Sequence, residues 1–355
     1  MTGNVNAAQA STPRGMALMQ RLRAWRPAMN PVLGRELRSR MRDWRFSLVL
    51  SAYLIGLGLV AFSTLYIMTR QLKFGGVIGP DAGVRIYAVL AIMQLLLIGV
   101  LAPSLTVGTI SGERERRTMD LLLVTRMSAT SIVVGKLLAS LAYTVLLIVA
   151  SMPVFSLVFL FGGISLKQLG LTFIIYLATT LTLGAVGLLA SALFRRTAVA
   201  AVAAYGVVAF MFAGTLAYLA FRLALPGSPY GPVPPAPGMQ PAAASIPWLV
   251  FANPLVAMAS SLPGYGGGGG ILSGILNEII FRAFSIPGPN GPMRPANMPT
   301  PWVAYLWISL GIFALSLVFS VLHLTPVKPW VRWRAAWRRR RQVRRERALA
   351  RSESA

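Results

Sequence analysis

Five consecutive charges, Glu113, Arg114, Glu115, Arg116 and Arg117, stand between two long apolar runs, with Thr118 and Asp120 close behind. Carboxylates and guanidiniums alternating at this density make ion pairs and charge-assisted hydrogen bonds. That is the chemistry of docking, not of turnover. Even the mildest insertion scale charges roughly 2.5–3.5 kcal/mol for one Arg or Asp at mid-bilayer, so five of them predict a short solvent-side elbow between two membrane helices. The stretch holds three of the chain's nine acidic residues, Glu113, Glu115 and Asp120. An orientation signal needs only Lys and Arg, whereas a patch of mixed sign reads as a docking surface. A plain solvated loop is the bland reading.

No other constellation supports catalysis. There is one histidine, His323, and no cysteine, which removes multi-histidine and thiolate metal sites and disulfides. His-Glu-x-x-His and Gly-x-Ser-x-Gly are absent, and Gly135-Lys136 lacks both the upstream glycine and the following Ser or Thr of a phosphate loop. No catalytic, cofactor-binding or metal-binding residues are therefore expected. If ATP drives this protein, a separate chain binds and hydrolyses it.

The elements that position the charged stretch follow from composition. The chain has 355 residues, 55% of them apolar and 12% charged, with a mean hydropathy of +0.65. Soluble domains carry about 25% charged residues, so this is an integral membrane protein of all-α class. Apolar runs at Phe46–Met68, Ile86–Ile110, Ile132–Phe161 and Trp302–Leu324 each suit one membrane helix. Residues 69–84 read as a short outer loop, Pro153 as a kink in the third span, and Gly162-Gly163 as its end. The apolar block 166–223 is long enough for two spans, broken at Arg195-Arg196. Six spans put both termini on one side.

Charge then sets the orientation. Of 34 Lys and Arg residues, 27 fall on the termini and on the two segments around Arg114 and Arg195, and seven on the opposite side. This positive-inside bias places both termini in the cytoplasm and accounts for most of the net charge of +25. Residues 1–29 are polar without an apolar run, as expected of a disordered cytoplasmic tail and not of a signal peptide. From Asn30 to Phe46, Leu33, Leu37, Met41 and Trp44 share one helical face, with Arg35, Arg38, Arg42 and Arg45 opposite and Glu36 among them. That pattern predicts an interfacial elbow helix on anionic lipid, the alternative being a simple basic anchor. Residues 325–355 interleave Trp330, Trp333 and Trp337 with Arg338 to Arg341. A juxtamembrane polybasic segment on anionic lipid explains this; nucleic acid is the sharper alternative, and none is expected as a partner.

Residues 224–301 form an outer loop carrying 16 of the 24 prolines. Two stretches in it, Ile246–Leu262 and Ile271–Phe284, are apolar but short for a span. Each reads as a re-entrant or interfacial helix that must pack on protein, or as an ordinary cap helix. A full span at Ile246–Leu262 would turn the Arg-rich C-terminus outward. Within the spans, Gln94 and Thr179, Thr180 and Thr182 read as interhelical contacts. Lys136, Arg222 and His323 lie near span ends, where they can snorkel. With no ionisable group at mid-depth, an ion-coupled carrier is poorly supported.

The region Gly112–Lys136 resembles the loop after the second span in permease subunits of type-2 ABC exporters. Ser111, Gly112, Glu113, Arg114, Glu115, Thr118, Asp120, Leu122, Leu123, Thr125, Gly135 and Lys136 match that pattern. Arg117 stands where the pattern has Gly, and Arg126 where it has Pro. Asn30 to Leu37 is similar to the family's elbow before the first span. The resemblance implies a six-span domain over 30–324, with two short outer helices before the last span. It implies a bacterial cytoplasmic-membrane subunit that pairs with an ABC ATPase subunit and with a second permease copy or sister permease. It also implies that Glu113, Arg114, Glu115 and Arg116 contact the ATPase while Thr118 and Asp120 organise the loop. A membrane scaffold that recruits partners without transport stays open from sequence.

Overall fold

The computed structural model describes residues 44–72, 80–117, 129–224, 248–262, 286–288, 291–293 and 300–324. The tails, the elbow residues Arg35, Glu36, Arg38 and Arg42, the loop residues Thr118 and Asp120, and the stretch Ile271–Phe284 lie outside these.

The described chain is helical throughout, apart from a hairpin of two three-residue strands, β1 (Ile286–Gly288) and β2 (Gly291–Met293). The helices are α1 (Trp44–Leu72), α2 (Pro80–Glu115), α3 (Ala129–Ser156), α4 (Leu166–Leu193), α5 (Thr197–Ala209), α6 (Thr215–Ala224), α7 (Trp248–Phe251), α8 (Pro254–Ser261) and α9 (Pro301–Leu324). α5 and α6 are joined by a π turn, Phe210–Gly214, into one spanning helix. Six helices are long and apolar enough to cross a bilayer, as the hydropathy pattern predicts. The fold is an all-α, six-span membrane bundle.

Both ends of α2 and the stretch Ile246–Leu262 differ from the sequence reading. α2 begins at Pro80, so the last five residues of the expected outer loop are helical. Proline suits a first turn, where its missing N–H costs nothing, and Gly83 permits close approach because a Cβ there would overlap the Gly162 carbonyl. At its other end α2 runs past Ile110 to Glu115. The charges extend the helix because other helices partner them, as described below. The third span ends as expected, at Gly162 and Gly163, whose φ values of 75° and 83° favour glycine, and its last five residues, Leu157–Phe161, form a 3-10 turn. Within the stretch Ile246–Leu262, the described residues 248–262 form two short helices broken at Ala252-Asn253, not one of spanning length.

α2 and α4 are the axis of the bundle, each 67% buried over its most apolar window, against 11% for α1 and 22% for α9. They run in the same direction. Tyr87 donates to Thr172 Oγ1 at 2.6 Å, Tyr176 to the Ala91 carbonyl at 3.0 Å, and Ser111 N–H to Ser191 Oγ at 2.9 Å, in rising order along both helices. Small residues let them touch: a Cβ on Gly187 would overlap Thr106 Oγ1, and one on Gly184 would overlap Leu141 of α3. An edge-to-face cluster of Tyr87, Phe155, Phe173 and Tyr176 fills the end remote from the charged motif. The polar residues noticed within the spans join helices. Tyr53 of α1 donates to Gln94 Oε1, Thr179 shares a 2.7 Å bond with Tyr305, and Thr182 donates to the Ser309 carbonyl at 3.2 Å. The Thr180 hydroxyl has no partner among the described residues.

Candidate functional site

The charged motif sits where four spans end together. The last turn of α2 carries Glu113, Arg114 and Glu115, and each takes its partner from a different neighbouring helix.

Glu113 turns to α3. Its Oε1 lies 2.7 Å from Lys136 Nζ, and the same ammonium donates to the Thr109 carbonyl at 3.0 Å. The Lys136 side chain is 4% exposed and that of Glu113 25%. Lys136 therefore does not snorkel to the interface. Its stem runs into the bundle because a carboxylate and a carbonyl await it there, and a desolvated cation needs both.

Arg114 turns to α4. Its Nη1 donates to the Ala192 carbonyl at 2.8 Å. Ala192 is in the final turn of α4, where carbonyls lack an intrahelical donor and the helix dipole is negative. A guanidinium satisfies both conditions.

Glu115 turns to α5. Its Oε1 accepts from Thr197 N–H at 2.7 Å and its Oε2 from Thr197 Oγ1 at 3.0 Å. Thr197 is the first residue of α5, with orphan N–H groups at the positive end of the dipole. The N-cap residue, Arg196, makes no side-chain cap bond, so the capping carboxylate comes from another helix. Ser191 completes the junction: its Oγ accepts from Ile110 N–H at 3.0 Å and from Ser111 N–H at 2.9 Å, and Ser111 Oγ lies 3.1 Å from Thr197 Oγ1.

The arrangement sorts the motif by sign. Both carboxylates are spent on partners within the chain. Arg116 and Arg117 are exposed beyond the end of α2, and Arg195 and Arg196 are exposed in the break between α4 and α5. Among the described residues, the cluster shows a basic face to its surroundings and keeps its acids for bracing. No group of three His, Cys, Asp or Glu residues gathers to hold a metal among the described residues.

Arg117 closes α2. Its N–H donates to the Arg114 carbonyl at 3.1 Å and its φ is 58°. That left-handed conformation after a helix end is the one glycine adopts without strain. It gives a physical reason for the glycine at this position in the pattern that the loop resembles.

Of the residues singled out from sequence, the structure brings Glu113, Arg114 and Glu115 together, leaves Arg116 facing outward, and does not describe Thr118 and Asp120. Sequence reasoning missed Thr197 and Ser191. A threonine directly after the Arg195-Arg196 break is a recognisable helix-start signal. Nothing local marks Ser191, which matters only because α2 and α4 run alongside each other.

A bundle of six helices fit to span a membrane, with a charged helix end fixed at the joint end of four of them, is the architecture of a multi-pass membrane protein. Comparison with known families identifies it further: residues 30–324 match the model of the ABC-2 family transporter protein. The chain belongs to that family and is a multi-pass transport permease. No curated protein matches the chain.

Proposed function

We propose that this chain is the membrane-spanning subunit of an ATP-driven exporter, and that the loop 113–120 couples it to a separate ABC ATPase subunit. The observation that carries the reading is the three-way bracing of the last turn of α2. A force applied to Arg116, Arg117 and the residues after them reaches α3 through Glu113–Lys136, α4 through Arg114–Ala192 and α5 through Glu115–Thr197. A loop that only floated in solvent would need none of these contacts.

In this reading the motif end faces the cytoplasm of a bacterial cell, with both termini on that side. Glu113, Arg114 and Glu115 hold the loop to the spans, Arg116 meets the ATPase, and Thr118 and Asp120 shape the loop. The exposed cations at this end call for an acidic receiving cleft. Six spans form half a pathway, so a second copy or a sister permease completes it. The elbow residues Arg35, Glu36, Arg38 and Arg42 and the polybasic tail rest on anionic lipid.

The test is affinity purification from native membranes in mild detergent, with ATPase activity measured on the eluate. It is done for the parent and for Arg116→Glu/Arg117→Glu, which reverses exposed charge without touching the bracing. Co-purification of a P-loop ATPase with the parent and its loss with the reversal is the expected result. If no ATPase accompanies the parent under any condition, the exporter reading falls and a scaffold replaces it. If the ATPase stays with the reversed variant, the assignment of the contact falls.

A further inference from the structure

The fifth span is not a uniform helix. Between α5 and α6 the backbone widens into the π turn Phe210–Gly214, closed by the Thr215 N–H donating to the Phe210 carbonyl. A π turn carries one residue more than the α-turn it replaces and shifts the hydrogen-bond ladder by one, so nearby carbonyls look for other donors. Here they find side chains. Thr215 Oγ1 donates to the Met211 carbonyl at 2.8 Å, and Asn253 Nδ2 donates to the Phe212 carbonyl at 3.0 Å.

Asn253 stands in the break between α7 and α8 and is 0% exposed. Its amide is used from both ends. Nδ2 donates a second bond, to Thr215 Oγ1 at 2.6 Å, while Oδ1 accepts from Leu255 N–H at 2.7 Å and so caps α8, with Pro254 opening that helix. The residue type is demanded by the geometry. Aspartate caps as well but donates nothing; serine caps but cannot also reach the turn with two donors; glutamine is one methylene too long for an N-cap. Two rings hold the turn in register. Phe212 lies on the second span, where a Cβ on Gly99 would come within 3.2 Å of its Cζ. The Phe210 ring crosses Gly214, where a Cβ would come within 2.9 Å of Cδ2.

We propose that this π turn is the flexing point of the fifth span and that Asn253 is the positioning residue that sets it. α6 then moves relative to α5, which is anchored at its other end by Glu115, while α7 and α8 stay seated against α9, with α8 also on α2 and α4, and hold the turn through Asn253. The turn is set by few groups: Asn253 Nδ2 on the Phe212 carbonyl and on Thr215 Oγ1, and the Thr215 hydroxyl on the Met211 carbonyl, so single substitutions remove what fixes its geometry. Use of this motion in transport rests on the permease reading; the latch itself does not.

The chain contains no cysteine, so spin labels can be placed without background. Val202 and Phe221 are 74% and 62% exposed and flank the turn. Along a helix, 19 residues at 1.5 Å each put them about 28 Å apart, within the range of pulsed electron paramagnetic resonance. The full chain carrying Val202→Cys and Phe221→Cys is measured in lipid nanodiscs. The parent is expected to give one narrow distance. Asn253→Asp keeps the cap and loses both donors, and is expected to split the distribution or about double its width. Thr215→Val is expected to broaden it as well, and Thr215→Ser to restore the parent width. If Asn253→Asp does not fold, the Thr215 pair decides alone. A distribution as narrow as the parent's in every folded variant lacking these bonds overturns the latch. The labels report on the permease alone, so a missing ATPase partner would overturn the exporter reading and leave this result standing, and a rigid turn would do the reverse.

Discussion

The motif end and the far end of the bundle are joined by different chemistry. At the motif end, α2 is tied to three helices by charged groups: a buried ion pair, a guanidinium on a helix C-terminus and a carboxylate on a helix N-terminus. At the far end, the fifth span is tied to α7 and α8 by one neutral amide, Asn253, amid apolar packing. Charge is usable at the first because the groups reach the membrane edge, where desolvation is incomplete and helix termini supply matching partial charges. Inside the hydrocarbon-level core the same charges would be ruinous, and an amide that satisfies both of its ends does the joining. A braced end transmits displacement without absorbing it, whereas a single-amide joint with a π turn beside it yields. The two ends are thus suited to different tasks within one bundle.

The largest expected effect tests whether the bracing is as strong as it looks. Glu113→Ala leaves the Lys136 ammonium buried without its carboxylate, which costs about 3–5 kcal/mol by analogy with broken buried pairs. Lys136→Met is milder, because Glu113 is the more exposed partner and can turn to water. Glu113→Leu/Lys136→Met should recover most of the loss, since an apolar pair of similar volume carries no desolvation penalty. Unfolding titrations of the three variants in mixed micelles give the order directly. A double variant no better than Glu113→Ala would mean that the carboxylate's other contacts, and not the pair, hold this end.

Next comes the far end. Asn253→Ala removes the cap of α8 and two donors to the π turn, a loss of about 2–3 kcal/mol. The ranking below Glu113→Ala is the point: if Asn253→Ala destabilises more, the amide joint is the stiffer of the two and the contrast between the ends reverses. Thermal unfolding followed by tryptophan fluorescence is enough to rank them.

How much of this was legible beforehand follows from the range of the interactions. The six spans were, because each is a long apolar run that no other environment tolerates, and so was the break at Arg195-Arg196, because two adjacent guanidiniums end a hydrocarbon segment by themselves. That Glu113, Arg114 and Glu115 stand together in one charged segment between two spans was also legible. Their individual partners were not: Lys136 is 23 positions away and Thr197 more than 80, and only the packing of α3 and of the start of α5 against the end of α2 brings them in. The same reason explains why α2 outran its apolar stretch, since a charge that will be met by another helix does not end its own. Asn253-Pro254 carries a local helix-start signal that the reading of Ile246–Leu262 as one helix overlooked. The π turn carried none, because Phe210 to Gly214 is compositionally an ordinary piece of membrane helix.

A smaller effect separates bracing from fold stability at the motif end. Glu115→Gln keeps one acceptor for Thr197 but removes the charge that complements the start of α5. The midpoint of unfolding should barely move. Hydrogen exchange at the amides of Thr197 to Ala200 should quicken, and the difference from the parent should shrink at high salt, as expected of a charge at the membrane edge. Unchanged exchange would show that Thr197 is held by Ser111 instead, leaving α5 outside the group braced by charge.

The smallest effect has the opposite sign. Arg117 holds a left-handed backbone at φ 58°, which costs a side-chain-bearing residue roughly 1–2 kcal/mol relative to glycine. Glycine gives part of that back through its larger freedom in the unfolded chain. Arg117→Gly should therefore stabilise the protein by under about 1 kcal/mol while removing one of the exposed cations at the motif end. The two consequences pull apart in different assays. If the end of α2 is a structural brace only, Arg117→Gly raises the unfolding midpoint and leaves everything else as it was. If the basic face receives an acidic cleft, the same substitution raises the midpoint and weakens retention of the ATPase in a salt-wash series, and Arg117→Asn, which also tolerates the left-handed region, weakens it equally. A strained arginine at a site that favours glycine is the outcome expected when a surface charge is worth more to the assembly than the backbone ease it displaces, and the salt-wash comparison measures that worth.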